Sequence, residues 1–322
     1  MTTTSRIQKT RAWFSEKLSW PLIKKILTYG FFLLVAYLLV QQALTIEWSK
    51  VFQTLRETKV STLLTGFGIG FVCYMFYSSY DLLGRYLLQI KTNLAQNWFI
   101  AWISYAFNLN LGAMVGGIAF RYRLYGKIGV SSSKATRIIG LSIMTNWLGY
   151  ILLAGVLFIT GQIEPPESWV IGKLGLQCLG VAFVLVVVIY LWACAFAKRR
   201  QFSVRDTQIT LPGWRMALLQ LVLSSAHWTL MALAIYQFMP ESIGFASVFA
   251  VLLVSAVAGA VTHIPGGLGV LEAVFVMFLA GDIGKAAIIA ALFAYRCVFY
   301  LAPLALAVVA YLIFEFFTGK KS

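Results

Sequence analysis

His263-Ile264-Pro265-Gly266-Gly267-Leu268-Gly269-Val270-Leu271-Glu272 sits in the middle of an apolar run that extends from 246 to 281. Proline removes a backbone donor, and paired glycines favour a turn, so this stretch is a strong helix breaker. The run is long enough for two half-helices that enter and leave a membrane on one side. Its reading decides the fold, because the charges elsewhere fit only if this segment does not cross.

The other apolar runs are 22–42, 60–80, 95–119, 138–160, 171–197, 216–238 and 286–315. A spanning helix needs about 20 residues. Were all eight runs to cross once, the loop 120–137, with Arg121, Arg123, Lys127, Lys134 and Arg137, would lie outside. So would 198–215, with Lys198, Arg199, Arg200, Arg205 and Arg215, while 161–170, with Glu164 and Glu167, would lie inside. That arrangement breaks the excess of Lys and Arg on cytoplasmic loops three times. Folding 95–119 back on itself repairs all three, and Asn108, Asn110, Gly112, Gly116 and Gly117 interrupt that run as a hairpin requires. With the tail Lys320-Lys321 inside, 246–281 must also begin and end on one side.

The expected fold is therefore an all-α polytopic membrane protein with six spanning helices and two re-entrant helical hairpins. Residues 1–21 form a basic cytoplasmic N-terminus, 22–315 a single membrane domain, and 316–322 a cytoplasmic tail. Both termini are expected in the cytoplasm. Segments 60–160 and 216–315 each read as span, hairpin, span, with opposite orientation. Inverted repeats with broken helices near the midplane are a transporter architecture.

The chain is 60% hydrophobic and only 11% charged, which excludes an ordinary soluble enzyme. Its 26 Lys and Arg against 11 Asp and Glu give a net charge of +15. In a membrane protein this is a topology signal and does not call for nucleic acid. Cys73, Cys178, Cys194 and Cys297 lie in apolar segments as small buried hydrophobes. With only His227 and His263, no His-rich metal site is expected. The first apolar run follows six basic residues and lacks a cleavage site, so it is expected to remain as an anchor. No Walker A, nucleophile elbow, zinc motif or GxGxxG is present, and no cofactor is expected.

Candidate site residues are the polar groups in apolar surroundings, since these are costly in lipid. Gly116 and Gly117 precede Arg121 and Arg123. The glycines permit close backbone approach, and the arginines either grip a lipid phosphate bidentately or anchor the chain at the headgroups. Glu272 needs a partner, and Arg296 is the obvious one; the pair either locks the second hairpin or gates it. His263 is either a proton carrier or a hydrogen-bonded structural residue beside the break at Pro265, Gly266, Gly267 and Gly269. Asn108, Asn110 and Asn146, with Thr145, either line a hydrophilic groove or satisfy freed backbone groups. Asp81 and Arg85, four apart, have the spacing of a helical ion pair.

The blocks Ser104-Tyr105-Ala106-Phe107-Asn108-Leu109, Gly116-Gly117-Ile118 with Arg121-Tyr122-Arg123-Leu124-Tyr125, Thr145-Asn146-Trp147-Leu148-Gly149-Tyr150 and His263 through Glu272 resemble the lysylphosphatidylglycerol synthetase/flippase transmembrane family. The resemblance covers nearly the whole chain. In two-domain members it implies a membrane part that flips aminoacylated phosphatidylglycerol and a soluble domain that makes it. Here the sequence ends at Ser322, so only the lipid-translocating half is expected. The resulting expectation is a non-enzymatic phospholipid translocase of the bacterial inner membrane, acting on anionic or aminoacylated glycerophospholipid, phosphatidylglycerol among them. The alternative is a lipid-binding membrane partner of a phospholipid-synthesising enzyme.

Overall fold

The computed structural model describes residues 30, 33–41, 44, 48–161, 172–198, 200–204, 207–262, 264 and 267–319. Residues 33–41 are helical, within a first unit that ends at Glu47. The expected first span, 22–42, falls largely outside the described residues, as do the basic N-terminus and the Lys320-Lys321 tail.

The second unit, Trp48–Ser322, is a helical bundle. In chain order its helices are α1 (Trp48–Glu57), α2 (Val60–Leu87), α3 (Leu94–Leu111), a π-helical stretch (Ala113–Ala119), α4 (Phe120–Lys127), α5 (Ser132–Ile159) and α6 (Lys173–Phe196). Then come α7 (Trp214–Tyr236), α8 (Phe245–Thr262), α9 (Val270–Ile283), α10 (Lys285–Arg296), a second π-helical stretch (Cys297–Leu301) and α11 (Ala302–Gly319). Six of these segments are long and apolar enough to cross a membrane: 60–87, 132–159, 173–196, 214–236, 245–262 and 285–316. The fold is an all-α polytopic membrane protein.

One small departure from the expected all-helical pattern is a β-hairpin in the basic loop 198–215, where Gln201–Val204 pairs antiparallel with Thr207–Thr210. Its alternating polar and branched residues suit a short strand pair, a pattern hidden by the loop's charges.

The bundle centre is made by α2, which packs on α3, α5 and α7, while α5 also packs on α6 and α7. Small residues allow the α5–α6 contact: a β-carbon on Gly180 would come within 2.7 Å of the Gly155 carbonyl oxygen. Close backbone approach of this kind drives helix association in lipid, where burial of apolar surface drives little. On α6, Leu185, Val186, Val188, Ile189 and Trp192 are exposed in the isolated chain. A nearly continuous apolar surface of this kind on a long helix is what lipid contact requires.

The segment 94–127 is a helical hairpin. Asn93 caps α3 by accepting from the Ala95 N–H at 2.8 Å. The helix stops at Gly112, whose φ of 84° lies in the left-handed region that favours glycine. Beyond it, Phe107 stacks on Phe120 with ring centroids 4.0 Å apart, and Asn108 abuts Gly117. Residues before and after Gly112 therefore face one another in reversed order, which is an antiparallel reversal. Gly116 is essential to it: a β-carbon there would lie 2.1 Å from the Phe107 carbonyl carbon.

The segment 245–283 forms the second helix pair. Here α8 packs against α9, with Gly267 and Gly269 at φ of 55° and 79° between them. His263, Pro265 and Gly266 lie outside the described residues.

Candidate functional site

A cavity of about 410 Å³ lies where the two helix pairs approach each other. From the first come Asn108, Gly112 and Met114; from the second, Ser255, Gly259 and Gly267. Trp228 and Met231 of α7 and Tyr300 of the second π-helical stretch complete the wall. The lining is mainly apolar, and Asn108, Ser255 and Tyr300 supply its polar side chains. Of the groove residues expected from sequence, Asn108 lines this space. Asn110 lies behind it, donating to the carbonyls of Ala106 at 2.8 Å and Tyr300 at 3.3 Å. Asn146 is elsewhere, and its carbonyl accepts from the Trp228 indole at 3.1 Å. A larger cleft of about 1090 Å³, bounded by Leu82, Trp98, Phe99 and Phe314, lies away from both hairpin tips. Its wall also carries Gln96 and Lys127, the latter already paired with Glu315.

The edge of the inter-hairpin cavity is held by Arg296. Its Nε donates to Glu272 Oε1 at 2.5 Å, and one Nη donates to Glu272 Oε2 and to the Gly267 carbonyl, both at 3.0 Å. Glu272 in turn accepts from the Gly269 N–H at 3.0 Å, capping α9. One guanidinium thus fixes the turn, the start of α9 and the end of α10. The Arg296 guanidinium carbon also lies 5.1 Å from the centre of the Tyr300 ring, a cation–π contact. Glu272 keeps 24% of its side-chain surface exposed, so the pair is accessible from the side.

The other two arginines are placed differently from each other. Arg121 is fully buried, and its Nε pairs with Asp81 Oδ2 at 3.1 Å, while Nη1 donates to the Gly117 carbonyl. Tyr125 donates to the same Asp81 oxygen at 2.8 Å. The expected Asp81–Arg85 pair does not form. Asp81 faces inward toward Arg121, while Arg85 donates to the Thr92 carbonyl at 2.9 and 2.6 Å. Four-residue spacing permits contact, but the buried face of α2 and the return of α4 select the longer-range partner. Arg123 donates to the Tyr311 hydroxyl at 2.9 Å and to Glu315 at 2.8 Å; Lys127 meets the same carboxylate. Gly116 and Gly117 accommodate the chain's own backbone and side chains, closing the first hairpin.

Sequence reasoning missed Asp81 as the partner of Arg121, and it missed Trp228, Ser255 and Tyr300 as cavity residues. It also passed over a buried group around His227. There Nε2 faces the Tyr105 hydroxyl at 3.3 Å, and Nδ1 faces the Cys73 sulfur at 3.2 Å. The available signal was weak: a histidine, a cysteine and tyrosines in three apolar runs, none adjacent in sequence.

Comparison with known proteins gives this geometry a context. The profile described as the lysylphosphatidylglycerol synthase TM region matches residues 25–307. The chain belongs to this family. It is 45% identical over 297 residues to the Inner membrane protein YbhN of Escherichia coli, covering 92% of this chain and 93% of that protein. It is also 26% identical over 277 residues to a Synechocystis protein described as uncharacterized, covering 85% of this chain and 86% of that one. The family region thus takes in both helix pairs and Arg121, Arg123 and Arg296.

Proposed function

We propose that this protein is a phospholipid flippase of a bacterial inner membrane, in which the lipid headgroup crosses between the two hairpins while its tails stay in the bilayer. The observation that carries this reading is the open cavity between the two broken-helix pairs, polar at Asn108, Ser255 and Tyr300 and otherwise mainly apolar. Family membership and the similarity to an inner membrane protein support the lipid class and the location. Re-entry of each hairpin on its own side, the inverted repeat and cytoplasmic termini belong to the same proposal.

The Glu272–Arg296 pair serves as the gate in this reading. A headgroup phosphate offers Arg296 the same bidentate oxygens as Glu272 does. Exchange of one for the other would free the start of α9 and the Gly267 turn together, because Arg296 holds both. Arg121 is less suited to meet the phosphate, since a ligand there must displace Asp81 from a site with 1% exposure. Arg123, at the far arm of the first hairpin, steadies that arm against α11. With no nucleotide-binding motif in the sequence, energy comes from an ion or lipid gradient.

Reconstitution tests this directly. Vesicles with a fluorescent glycerophospholipid in both leaflets, exposed to a membrane-impermeant quencher, should lose signal from the inner leaflet only when the protein is present. Glu272→Gln should slow that loss. Signal loss no greater than in protein-free vesicles removes the flippase reading. Lipid binding retained in that case favours a partner role beside a phospholipid-synthesising enzyme.

A further inference from the structure

We infer that a buried polar seam through the centre of the bundle is a hydrated proton path, which connects the α2–α3 loop to the inter-hairpin cavity. It is separate from the cavity itself and contains the one described histidine.

The seam begins at Thr92 in the α2–α3 loop, whose hydroxyl donates to Asn97 at 2.5 Å. Asn97 faces Tyr125, which donates to Asp81. Arg121, paired with Asp81, sits with its guanidinium carbon 5.5 Å from the Tyr77 ring centre. Tyr77 stacks on Tyr105 at 3.7 Å, and the Tyr105 hydroxyl meets His227. His227 leads to Cys73 on α2, and the neighbouring Tyr74 donates to the Phe299 carbonyl at 3.1 Å. Asn110 then reaches the carbonyl of Tyr300, a wall residue of the cavity. Along α3, the thirteen steps from Asn97 to Asn110 cover about 20 Å at 1.5 Å per residue. That is about two-thirds of a 30 Å hydrocarbon core.

The protein does not satisfy this seam by itself. Ser78 Oγ, Tyr80 OH, Asp81 Oδ1, Asn97 Nδ2, Ser104 Oγ and Arg121 Nη2 are buried without a well-formed hydrogen bond. Ser224 Oγ, which faces Tyr80, and Asn110 Oδ1 share that condition. Each such group, if left dry, costs about 1–3 kcal/mol, and more beside a charge. A family of orphans lined along one interface is therefore a site for internal water, which binds where two to four polar partners converge. A dry core of equal size would carry apolar side chains at these positions.

Water in file with hydroxyls and one imidazole is what proton transfer requires. His227 can take a proton at one ring nitrogen and release one from the other, passing charge on without net change once the starting tautomer returns. Tyr105 presents an exchangeable hydroxyl at Nε2, and the Cys73 sulfur and carbonyl lie at Nδ1. Asp81 and Arg121 together are neutral, so they polarise the path without trapping a proton on it.

The test is proton flux, measured apart from lipid movement. Purified protein is reconstituted in vesicles holding a pH-sensitive dye, with an imposed membrane potential. Wild-type vesicles should acidify several-fold faster than protein-free ones. Tyr105→Phe, which keeps the ring stack and removes only the hydroxyl at His227, should lower the rate several-fold. Ser224→Ala should lower it as well, and Ile189→Ala on the lipid-exposed face of α6 should not. Hydroxyl-radical footprinting supplies a second measure: Cys73 and Tyr105 should be modified despite their burial, as residues beside bound water are. Flux equal to that of protein-free vesicles overturns the proposal, and so does a Tyr105→Phe protein that elutes and conducts like wild type. Proton flux without lipid movement removes the flippase reading and leaves the path; lipid movement without flux does the reverse.

Discussion

The two helical hairpins are both held by an Arg–carboxylate pair, yet the pairs differ in polarity and in exposure. In the first, the hairpin supplies Arg121 and the preceding long helix supplies Asp81, with side-chain exposures of 2% and 0%. In the second, the hairpin supplies Glu272 and the following helix supplies Arg296, with exposures of 24% and 10%. A sealed pair is expensive to break, because the remaining charge has nowhere to find water. A pair at a cavity edge can exchange partners. In the proposed function, the first hairpin is the fixed wall and the second the moving part.

The sharpest way to break this comparison is Arg121→Ala. It leaves Asp81 buried and uncompensated, and should cost about 3–5 kcal/mol. A lower apparent melting temperature in detergent, together with early aggregation, is the expected outcome. A melting curve like that of wild type would mean that the first hairpin is not locked by this pair.

Next in size is Gly116→Ala. The added methyl must push Phe107 away from a contact of 2.1 Å, so the hairpin has to open. Overpacking of this kind costs about 1–3 kcal/mol or more. Gly140→Ala on α5 is the control, since nothing lies within 4 Å of the added atom. It should leave stability unchanged or raise it by up to about 1 kcal/mol through helix propensity. Equal melting temperatures for the two variants would count against the tight reversal at Gly112.

The second hairpin should respond in function more than in stability. Glu272→Ala and Arg296→Ala each strand one charge, at a cost below that of Arg121→Ala because this pair is less deeply buried. The double change Glu272→Gln with Arg296→Gln should be less destabilising than either alanine. If that double variant folds and lipid movement stops, the charges serve the gate. If it folds and moves lipid at the wild-type rate, the second pair is as structural as the first and the contrast between hairpins fails.

The smallest effect is expected at Glu315. Arg123 and Lys127 share this partly exposed carboxylate, and Glu315→Gln should cost no more than about 1 kcal/mol, as for an exposed ion pair. Its influence should fade further in high salt. A loss as large as that of Arg121→Ala would show that the far arm of the first hairpin depends on α11 for its position.

Much of the architecture was legible in the sequence because membrane solvent imposes simple rules. Runs of about 20 apolar residues must be helices, since no water is present to satisfy an open backbone. Gly112, one of the five residues that interrupt 95–119, ends its helix, and Gly267 and Gly269 of the second stretch lie between helices, because backbone permissiveness is a local property. The Glu272–Arg296 contact was also readable, as each is an isolated charge in apolar surroundings and the two lie only 24 positions apart.

Partner choice between distant segments was not readable. Asp81 had Arg85 one helical turn away, and only the return of α4 against α2 shows that Arg121 takes it instead. Arg121 and Arg123, two residues apart on one helix, point to different sides. The fold sends one to Asp81 and the other to Glu315. The seam through His227, Tyr105 and Cys73 likewise joins three helices, and its polar residues are scattered through apolar runs where none stands out alone. Sequence by itself marked the long apolar segments as helices and the charges too costly to stand alone, while the helices at Trp48–Glu57 and Phe120–Lys127 lie outside those apolar runs. The tertiary structure decided which charge meets which and where polar groups gather into a cavity and a seam, because those depend on helix rotation and crossing, which local composition does not encode.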